Sequence, residues 1–388
     1  MLDYLLFALA CFGHAYLLML VVNVTYSQPY HKTFLKIFRI AIALLILGGP
    51  IAFVGFAGFE IETTVAGAFE HGQKLPLAIY LLVVLAMTCL LFPLVTVRRA
   101  LRPPPKMLRS ETTYTVDVAK ELGAPPIGDG ETAHVVRFPF NDIFRVDFTT
   151  LTIEFPNLPK AWDGLTLLQI SDLHFLGTPA KSYYDHIMQR CMSDGVPDLL
   201  MITGDVIDTD EHIAWMEPVL GQLRWNVAAF AILGNHDWWK DFDGVRKELG
   251  RIGMKVVSNA WQQIDVRGEK LTVIGHEGPW FRQPDPDLSA CPADGFRILL
   301  SHTPDNIRWA QRHNVSLMLS GHVHGGQVRV PLIGSIFVPS KFSRRFDMGT
   351  FFEPPTLLHV NRGLSGKEPL RFRCRPQVTR IVFKAAPR

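Results

Sequence analysis

Cysteine is scarce in this 388-residue chain, and its placement excludes several kinds of site. The chain has only Cys11, Cys89, Cys191, Cys291 and Cys374, with no C-x-x-C pair and no close framework. We therefore expect reduced thiols, without a disulfide scaffold or a cysteine-bound zinc. The chain also lacks a G-x-S-x-G nucleophile turn, which disfavours a serine hydrolase of the α/β type.

An excess of one sign of charge is nearly absent as well. Lysine and arginine together number 39 against 36 acidic residues, so the formal net charge is only +3. Because no recognisable nucleic-acid-binding fold accompanies this weak charge, we expect no nucleic acid partner. Hydrophobic residues, in contrast, make up 48% of the chain, and their excess lies at its start.

Three long apolar runs occupy the first hundred residues, at about 2–24, 40–59 and 77–97. Each has roughly the 20 residues that a bilayer-crossing helix needs. A removable signal peptide is the alternative for the first run, but that run has no basic segment before it and is too long. We expect a membrane domain over residues 1–100, with His14 packed inside the helix bundle.

The charges between these runs predict their orientation. The first connection and the segment after the third run are basic, whereas the second connection carries Glu60, Glu62 and Glu70 against Lys74. The positive-inside rule then places the amino terminus outside and everything after the third run in the cytoplasm. The sequence predicts a multi-pass protein of the inner (cytoplasmic) membrane, with the bilayer as a partner.

Residues 101–143 are predicted to be a linker. Three prolines at 103–105 make a stiff spacer, and residues 106–140 are polar and punctuated by glycine and proline. An alternating apolar pattern from Phe144 to Phe155 predicts the first strand of a soluble domain over 144–388.

Five apolar runs within that domain end in oxygen or imidazole side chains, and open α/β sheets collect ligands at such strand ends. One polar tip is usually an ordinary turn. Five in order predict a metal site, and this donor set suits Mn²⁺, Fe or Zn²⁺. The tips carry Asp172 and His174, then Asp205 and Asp208, then Asn235, His236 and Asp237, then His302, and finally His322 and His324.

The spacers between these runs have helical periodicity, at residues 184–191, 213–223 and 242–252. After Gly253 the pattern turns to β, over residues 255–258, 262–266 and 271–275. These segments are predicted to begin a second sheet that packs on the first.

The order D-x-H, G-D-x-x-D, G-N-H-D, a lone histidine and G-H-x-H resembles the calcineurin-like metallophosphoesterase superfamily, over residues 165–383. The resemblance implies an α/β fold, a four-layer αββα sandwich, preceded in this chain by three transmembrane helices. It also implies two divalent metal ions, which can activate a water and hold two phosphate oxygens.

The resemblance further implies roles for individual residues. His236 would be a non-ligating histidine beside the phosphate that acts as general acid, and Asp208 would orient the site. The alternative for His236 is a structural residue that orders the Asn235 turn. The implied metal ligands are Asp172, His174 and His324 for one ion, Asn235, His302 and His322 for the other, and Asp205 for both.

The run G-H-x-H-G-G-Q at 321–327, with the segments 359–366 and 371–383, resembles a membrane-anchored bacterial branch of the superfamily. That branch includes UDP-2,3-diacylglucosamine pyrophosphatases. The function expected is therefore hydrolysis of a phosphodiester or diphosphate bond, on that compound or another lipid-linked phosphate. A non-catalytic membrane scaffold or sensor with a metal-binding domain is the alternative.

Further residues are candidates for substrate binding. Trp238 and Trp239 follow the Asn235 turn, and Trp280 and Phe281 follow His276, so aromatic surface is expected beside the metals; buried packing is the alternative. His276 is a candidate substrate contact. The basic residues Lys341, Arg344, Arg345, Arg371, Arg373 and Arg375 could bind a diphosphate or anionic headgroups, or form a solvated face.

Overall fold

The computed structural model describes residues 1–71, 74–281, 285–292 and 294–386, and it divides into two compact units, Met1–Pro103 and Pro104–Arg388. The first unit is helical. Three of its helical stretches, Leu2–Tyr26, Lys32–Ala57 and Leu75–Ala100, are long and apolar enough to cross a membrane, which confirms the three predicted apolar helices. The unit contains α1 (Leu2–Tyr26), α2 (Lys32–Ala57), α3 (Ile61–His71), α4 (Leu75–Ala86), a π-helical turn (Met87–Leu91) and α5 (Phe92–Ala100).

Close contact between α1 and α4 organises this helical unit. A Cβ atom on Gly13 would lie 1.9 Å from the carbonyl oxygen of Val84, so only glycine allows the two backbones to approach this closely. Beside it, the Thr88 hydroxyl donates to the Leu9 carbonyl at 2.7 Å. His14 packs within the bundle as expected, since its Nε2 lies 2.9 Å from the Leu45 carbonyl and its Nδ1 contacts the Tyr80 hydroxyl.

The second unit contains a seven-stranded sheet and a six-stranded sheet. The strands of the first sheet are β1 (Leu108–Asp117), β2 (Arg145–Phe155), β3 (Thr166–Ile170), β4 (Leu199–Thr203), β5 (Ala228–Ile232), β6 (Lys255–Val256) and β15 (Gln377–Ala385). Those of the second are β7 (Trp261–Val266), β8 (Glu269–His276), β9 (Phe296–Ser301), β10 (Leu317–Ser320), β13 (Gly349–Glu353) and β14 (Thr356–Val360). The first sheet has the order β1-β2-β15-β3-β4-β5-β6 and the second the order β13-β14-β10-β9-β8-β7.

Helices and one short hairpin complete this unit. The helices are α6 (Val118–Glu121), α7 (Lys181–Ser193), α8 (Met216–Leu220), α9 (Asn235–Trp238), α10 (Phe242–Arg251) and α11 (Ile307–Arg312). The hairpin pairs β11 (Arg329–Val330) with β12 (Gly334–Ser335).

The side chains of the strands alternate between two apolar layers, as expected for strands covered on both faces. In β3, Leu167 joins the core between the two sheets, whereas Leu168 faces the layer that contains α7, α8 and α10. In β9, Ile298 lies between the sheets and Leu299 faces the layer with α11. The unit is thus built as helices, sheet, sheet and helix, which confirms the four-layer α/β fold.

Two segments differ from the sequence predictions. Residues 108–117, inside the segment predicted as a linker, form the edge strand β1, antiparallel to β2. Their exposed polar side chains resemble a linker in sequence because one edge strand can face water along most of its length. Residues 255–256 were predicted to begin the second sheet, but they pair in parallel with β5 and extend the first.

The strands that position the site run in parallel. Neighbours β3, β4 and β5 are parallel in one sheet, as are β8, β9, β10 and β14 in the other, so their carboxyl ends meet at common edges. The buried Gln169 amide connects the two sheets there, because its Nε2 donates both to Thr203 Oγ1 and to the Ser320 carbonyl at 3.1 Å.

Candidate metal centre

The candidate ligands predicted from the five strand tips come together at this edge. Each of two groups places its ligand atoms within 4.8 Å of one another. Asp205 belongs to both groups, because its Oδ2 lies 3.5 Å from His174 Nε2 and 3.1 Å from His302 Nε2. One group contains Asp172, His174, Asp205 and His324, and the other contains Asp205, His302 and His322.

The turn that carries Asp205 requires glycine before it. Gly204 has a φ of 90°, and a Cβ atom there would lie 2.7 Å from the Gly234 nitrogen and 2.8 Å from His302 Nδ1. A side chain at this position would therefore push apart two turns that carry candidate ligands. One oxygen of Asp205 is fixed as well, since Oδ1 accepts the His236 backbone N–H at 2.8 Å.

Several polar atoms at this centre are buried without a hydrogen bond, which is costly unless a ligand binds them. They are Nε2 of His174, His302 and His322, and Oδ1 of Asn235. All are nitrogen or oxygen donors of the kind that divalent transition metals take. The residues present therefore fit the two metal ions that the resemblance implies.

Hydrogen bonds to the opposite ring nitrogen select Nε2 as the available atom of three histidines. His302 Nδ1 donates to the Thr203 carbonyl at 2.7 Å, and His324 Nδ1 to the Ser365 carbonyl at 3.0 Å. His174 Nδ1 donates to Asp208 at 3.1 Å. Such bonds fix both the tautomer and the ring orientation of metal-binding histidines.

Asp208 connects a candidate ligand to the histidine predicted to act on the substrate. Its Oδ2 accepts from His174 Nδ1, and its Oδ1 accepts from His236 Nδ1. With Nδ1 held in this way, the His236 ring keeps Nε2 for a substrate, and its side chain is 15% exposed. The positions of both residues fit the roles that the resemblance implies.

Five of the seven candidate ligands have backbone conformations that side chains rarely adopt. Their φ angles lie between 48° and 67°, in the left-handed region, at Asp172, His174, Asp205, His322 and His324. Each such residue costs on the order of 1–3 kcal/mol, and such outliers concentrate at functional sites. The turns therefore direct the side chains toward the centre at the cost of a less favourable backbone conformation.

The carboxylates divide the histidines into two kinds. Burial lowers the pKa of His174 and of His302, but the neighbouring aspartates outweigh burial and raise both values to about 9. Burial and neighbouring cations instead hold the pKa of His322 and His324 well below the usual range. Metal binding at this centre must therefore displace protons from some histidines and not from others.

Two buried acids support the centre: Asp237, which was predicted at a strand tip without an assigned role, and Glu277, which the sequence did not single out. Asp237 accepts from the backbone N–H groups of Val206, Ile207 and Gly234 at 2.9–3.0 Å, so it fastens the Asp205 turn to the Asn235 turn. Burial, together with the charge of Asp205, raises its pKa to about 7.

Glu277 supports the same turn from below. It accepts the Leu233 N–H at 2.9 Å and pairs with Arg246 at 2.8 Å, while its side chain is fully buried. The only sequence signal for Asp237 and Glu277 was an acid next to a histidine, which does not distinguish a support from a ligand.

The basic residues predicted to bind a diphosphate or headgroups have different surroundings. Arg371 is fully buried, and its guanidinium donates to the carbonyls of His324, Arg362 and Ser365. Arg344 is also buried and donates to the Ile333 carbonyl, whereas Arg345 is half exposed and pairs with Glu353 at 2.7 Å. Arg371 therefore fixes the backbone that carries His324 and does not form part of a solvated face.

The aromatic candidates lie partly at the centre and partly elsewhere. The Trp280 ring is buried against the histidines, 4.8 Å from His322 and 5.6 Å from His302. Trp239 lies 5.0 Å from His236, while Trp238 packs against the outer core of the first sheet.

His276 is not brought into either ligand group. It is buried against the Trp309 ring, and its Nδ1 accepts the Gly278 N–H at 3.1 Å. These contacts give it a packing environment, although its role as a substrate contact stays a prediction.

Comparisons with known proteins agree with this geometry. A family model described as calcineurin-like phosphoesterase matches residues 165–326, which include every candidate ligand. The uncharacterized metallophosphoesterase YkuE of Bacillus subtilis is 31% identical over 248 residues, which are 62% of this chain and 86% of that protein.

Two relatives with more specific names are also similar. Phosphodiesterase YaeI of Escherichia coli is 30% identical over 223 residues, covering 55% of this chain and 80% of its own. The UDP-2,3-diacylglucosamine pyrophosphatase LpxG of Chlamydia trachomatis is 24% identical over 287 residues, covering 57% and 85%.

Proposed function

The chain belongs to the calcineurin-like metallophosphoesterases, and from that premise we propose that it hydrolyses a phosphodiester or diphosphate bond at the centre around Asp205. The observation that carries the proposal is the position of Asp205 between buried Nε2 atoms of His174 and His302 that make no hydrogen bond. When bound there, two divalent cations would supply Lewis acidity and an activated water.

The family resemblance implies how the ligands would divide between two ions, and hydrogen bonds position the residues around them. Asp172, His174 and His324 would hold one ion, Asn235, His302 and His322 the other, and Asp205 both. Asp208 orients His174 and His236 together through its two oxygens. His236, held at Nδ1, would donate a proton from Nε2 to the leaving oxygen as the phosphorus–oxygen bond breaks.

The substrate that we favour is a lipid-linked phosphate, with UDP-2,3-diacylglucosamine as the first compound to test. Three helices of membrane-spanning length precede the phosphoesterase unit, so the protein meets lipid. The match to a relative named as a UDP-2,3-diacylglucosamine pyrophosphatase covers 85% of that relative's length. The basic segments that flank the first and third helices favour a phosphoesterase unit on the cytoplasmic side of the inner membrane.

Hydrolysis by the full-length protein in detergent, with Mn²⁺ added, tests this proposal. We would compare a bis-aryl phosphodiester with UDP-2,3-diacylglucosamine, for wild type and for His322→Ala. The expected result is turnover of both substrates, a higher kcat/KM for the lipid nucleotide, and loss of both activities in the variant.

The outcomes separate the levels of the proposal. Cleavage of the aryl diester alone would retain the phosphoesterase and reject this lipid substrate. Metal binding that is lost in His322→Ala, without turnover of either substrate by wild type, would instead favour the scaffold or sensor. Full activity after thorough removal of metal would overturn the mechanism. Asp243→Asn is a suitable control, since that carboxylate is 80% exposed on α10.

A further inference from the structure

The hairpin that follows His324 ends in an apolar turn that faces solvent. Strands β11 and β12 pair Arg329 with Ser335 and Val330 with Gly334, which leaves residues 331–333 at the tip. Leu332 is 97% exposed, and Ile336 just beyond the hairpin is 39% exposed. Isolated exposed apolar residues are ordinary, but a fully exposed leucine at the end of a protruding turn calls for a reason.

The backbone of this tip makes leucine an unfavourable choice. Leu332 has a φ of 66°, in the left-handed region where glycine and asparagine are favoured over branched side chains. Burial inside the protein does not offset this strain, because the side chain is almost wholly outside. The Leu332 side chain is therefore stabilised neither by its backbone conformation nor by burial in the core of this unit.

The hairpin is nevertheless firmly held. Arg329 Nη1 donates to Asp347 at 2.7 Å and to the Gly325 carbonyl at 3.0 Å, and the Ser335 hydroxyl donates to the same carboxylate at 2.7 Å. At the tip, Arg344 donates to the Ile333 carbonyl. Leu332 is thus carried by a hairpin that several hydrogen bonds hold in place.

The hairpin is also tied to the metal centre. It begins five residues after His324, and a Cβ atom on Gly326 would lie 2.4 Å from that of Ser335, so its base packs directly on the His324 turn. The Arg329 N–H donates to the Phe372 carbonyl at 3.0 Å, in the segment where Arg371 binds the His324 carbonyl. A surface that binds the tip of the hairpin would therefore lie close to the metal centre.

We propose that the tip of the hairpin 329–335, led by Leu332, inserts into the interfacial region of the lipid bilayer. The same chain carries three helices of membrane-spanning length, so a bilayer is a surface that this chain would meet. The exposed Lys341 follows the hairpin, which suits an anionic leaflet, and leucine is a side chain that partitions into the interface.

This inference rests on the proposed function for its purpose, since a seated tip would present the centre to phosphates of membrane lipids. Its geometry can be tested without any turnover. Full-length protein would carry an environment-sensitive fluorophore on Leu332→Cys, in a Cys11→Ser, Cys89→Ser background because the other three cysteines are buried. It would be placed in nanodiscs of phosphatidylcholine and phosphatidylglycerol.

The readout is quenching by a lipid that carries a nitroxide near its headgroup. Val196→Cys in the same background is the matched control, being 42% exposed before β4, at the opposite edge of the sheet from the centre. We expect quenching at 332 to exceed that at 196 by at least about twofold. Equal quenching would overturn the inference, and so would a water-shielded label at 332 that the lipid does not quench, which would indicate a second copy of the chain.

A variant distinguishes the role of the tip from that of the centre. Leu332→Asn suits the left-handed backbone, so the thermal midpoint should stay the same or rise. Turnover of a bilayer-embedded lipid phosphate should fall about tenfold in kcat/KM through the lost apolar contact. Hydrolysis of the soluble aryl diester should not change. Equal losses on both substrates would count against the inference, whereas failure of wild type to cleave either would count against the proposed function alone.

Discussion

The two ligand groups that meet at Asp205 are built from similar residues but stand in different surroundings. On one side, His174 is held by the carboxylate of Asp208, and the buried Arg371 lies behind His324. On the other side, His302 is held by a backbone carbonyl, and His322 packs against the Trp280 ring. Charged partners tune the first group, whereas packing and backbone fix the second.

Two side chains next to the fully buried His174 are partly exposed. His324 is 13% exposed, with its ring centroid 5.0 Å from that of His174, and His236 is 15% exposed, with its ring centroid 4.5 Å away. His302 is fully buried, and its ring meets the Trp280 ring edge to face with 5.6 Å between centroids. Substrate should therefore approach from the His236 and His324 side, where changes of charge matter most.

Replacing Asp205, which both ligand groups share, should have the largest effect, because it disrupts the two groups together. Asp205→Asn removes the one carboxylate common to both groups, so kcat should fall about 1,000-fold or more. Metal content per chain, measured by mass spectrometry, should fall on both sides. Asp243→Asn is the control, and a variant that keeps two ions and normal kcat would show that Asp205 is not shared.

Removing the charge behind the first group should affect that side alone. Asp208→Asn loses the carboxylate that orients His174 and His236, and changes of this kind typically cost about 10- to 100-fold in metal affinity or activity. Titration with Mn²⁺ should show one weakened site and one unchanged site. Equal weakening of both sites would contradict the division between charged and neutral support.

The pKa values predict how metal affinity depends on pH. His174 and His302 have pKa values raised to about 9, so both carry a proton at neutral pH that a metal must displace. Affinity should rise with pH and level off near pH 9, by about tenfold per unit for each ion. Calorimetry in two buffers with different ionisation enthalpies should show about one proton released per ion at pH 7.

The two remaining histidines supply the internal contrast. His322 and His324 have lowered pKa values and are already neutral, so they should release no proton. Release of about four protons in all, or of none, would show that the carboxylates do not divide the histidines in this way.

The smallest effect is expected for the aromatic wall of the second group. Trp280→Phe keeps an aromatic ring against His302 and His322 but removes part of the buried indole, so some packing is lost without any change of charge. Activity should fall only about two- to fivefold, and the pH dependence should be unchanged. A larger loss with intact metal binding would indicate that the indole contacts substrate.

The local pattern of the chain was enough to single out side chains that the structure brings together, and the reason is physical. Each strand tip places its polar residues within a few positions of an apolar run, so sequence distance and spatial role coincide at Asp172, Asp205 and Asn235. The spacer helices and the second sheet followed from short-range periodicity, the three apolar helices from the length of apolar runs, and the four-layer arrangement was implied by the resemblance. The assignment of individual ligands to two ions came from the family resemblance and stays a prediction.

What the sequence did not reveal depends on contacts distant along the chain. Arg371 lies 47 positions from His324, to whose carbonyl it donates. Because the sequence does not show this contact, Arg371 was grouped with basic residues of a surface patch. The strand at 108–117 was missed because an edge strand shows one polar face, and residues 255–256 were assigned to the wrong sheet because pairing partners leave no local trace.

The left-handed backbone at five candidate ligands has a consequence for protein engineering. A designer who transplanted these side chains onto another scaffold with ordinary turns would aim most of them in the wrong direction, since the angles at Asp172, His174, Asp205, His322 and His324 set where each one points. The portable unit is the set of loops with their glycines and buried acids. Copying seven residues would transfer the composition of the centre without its shape.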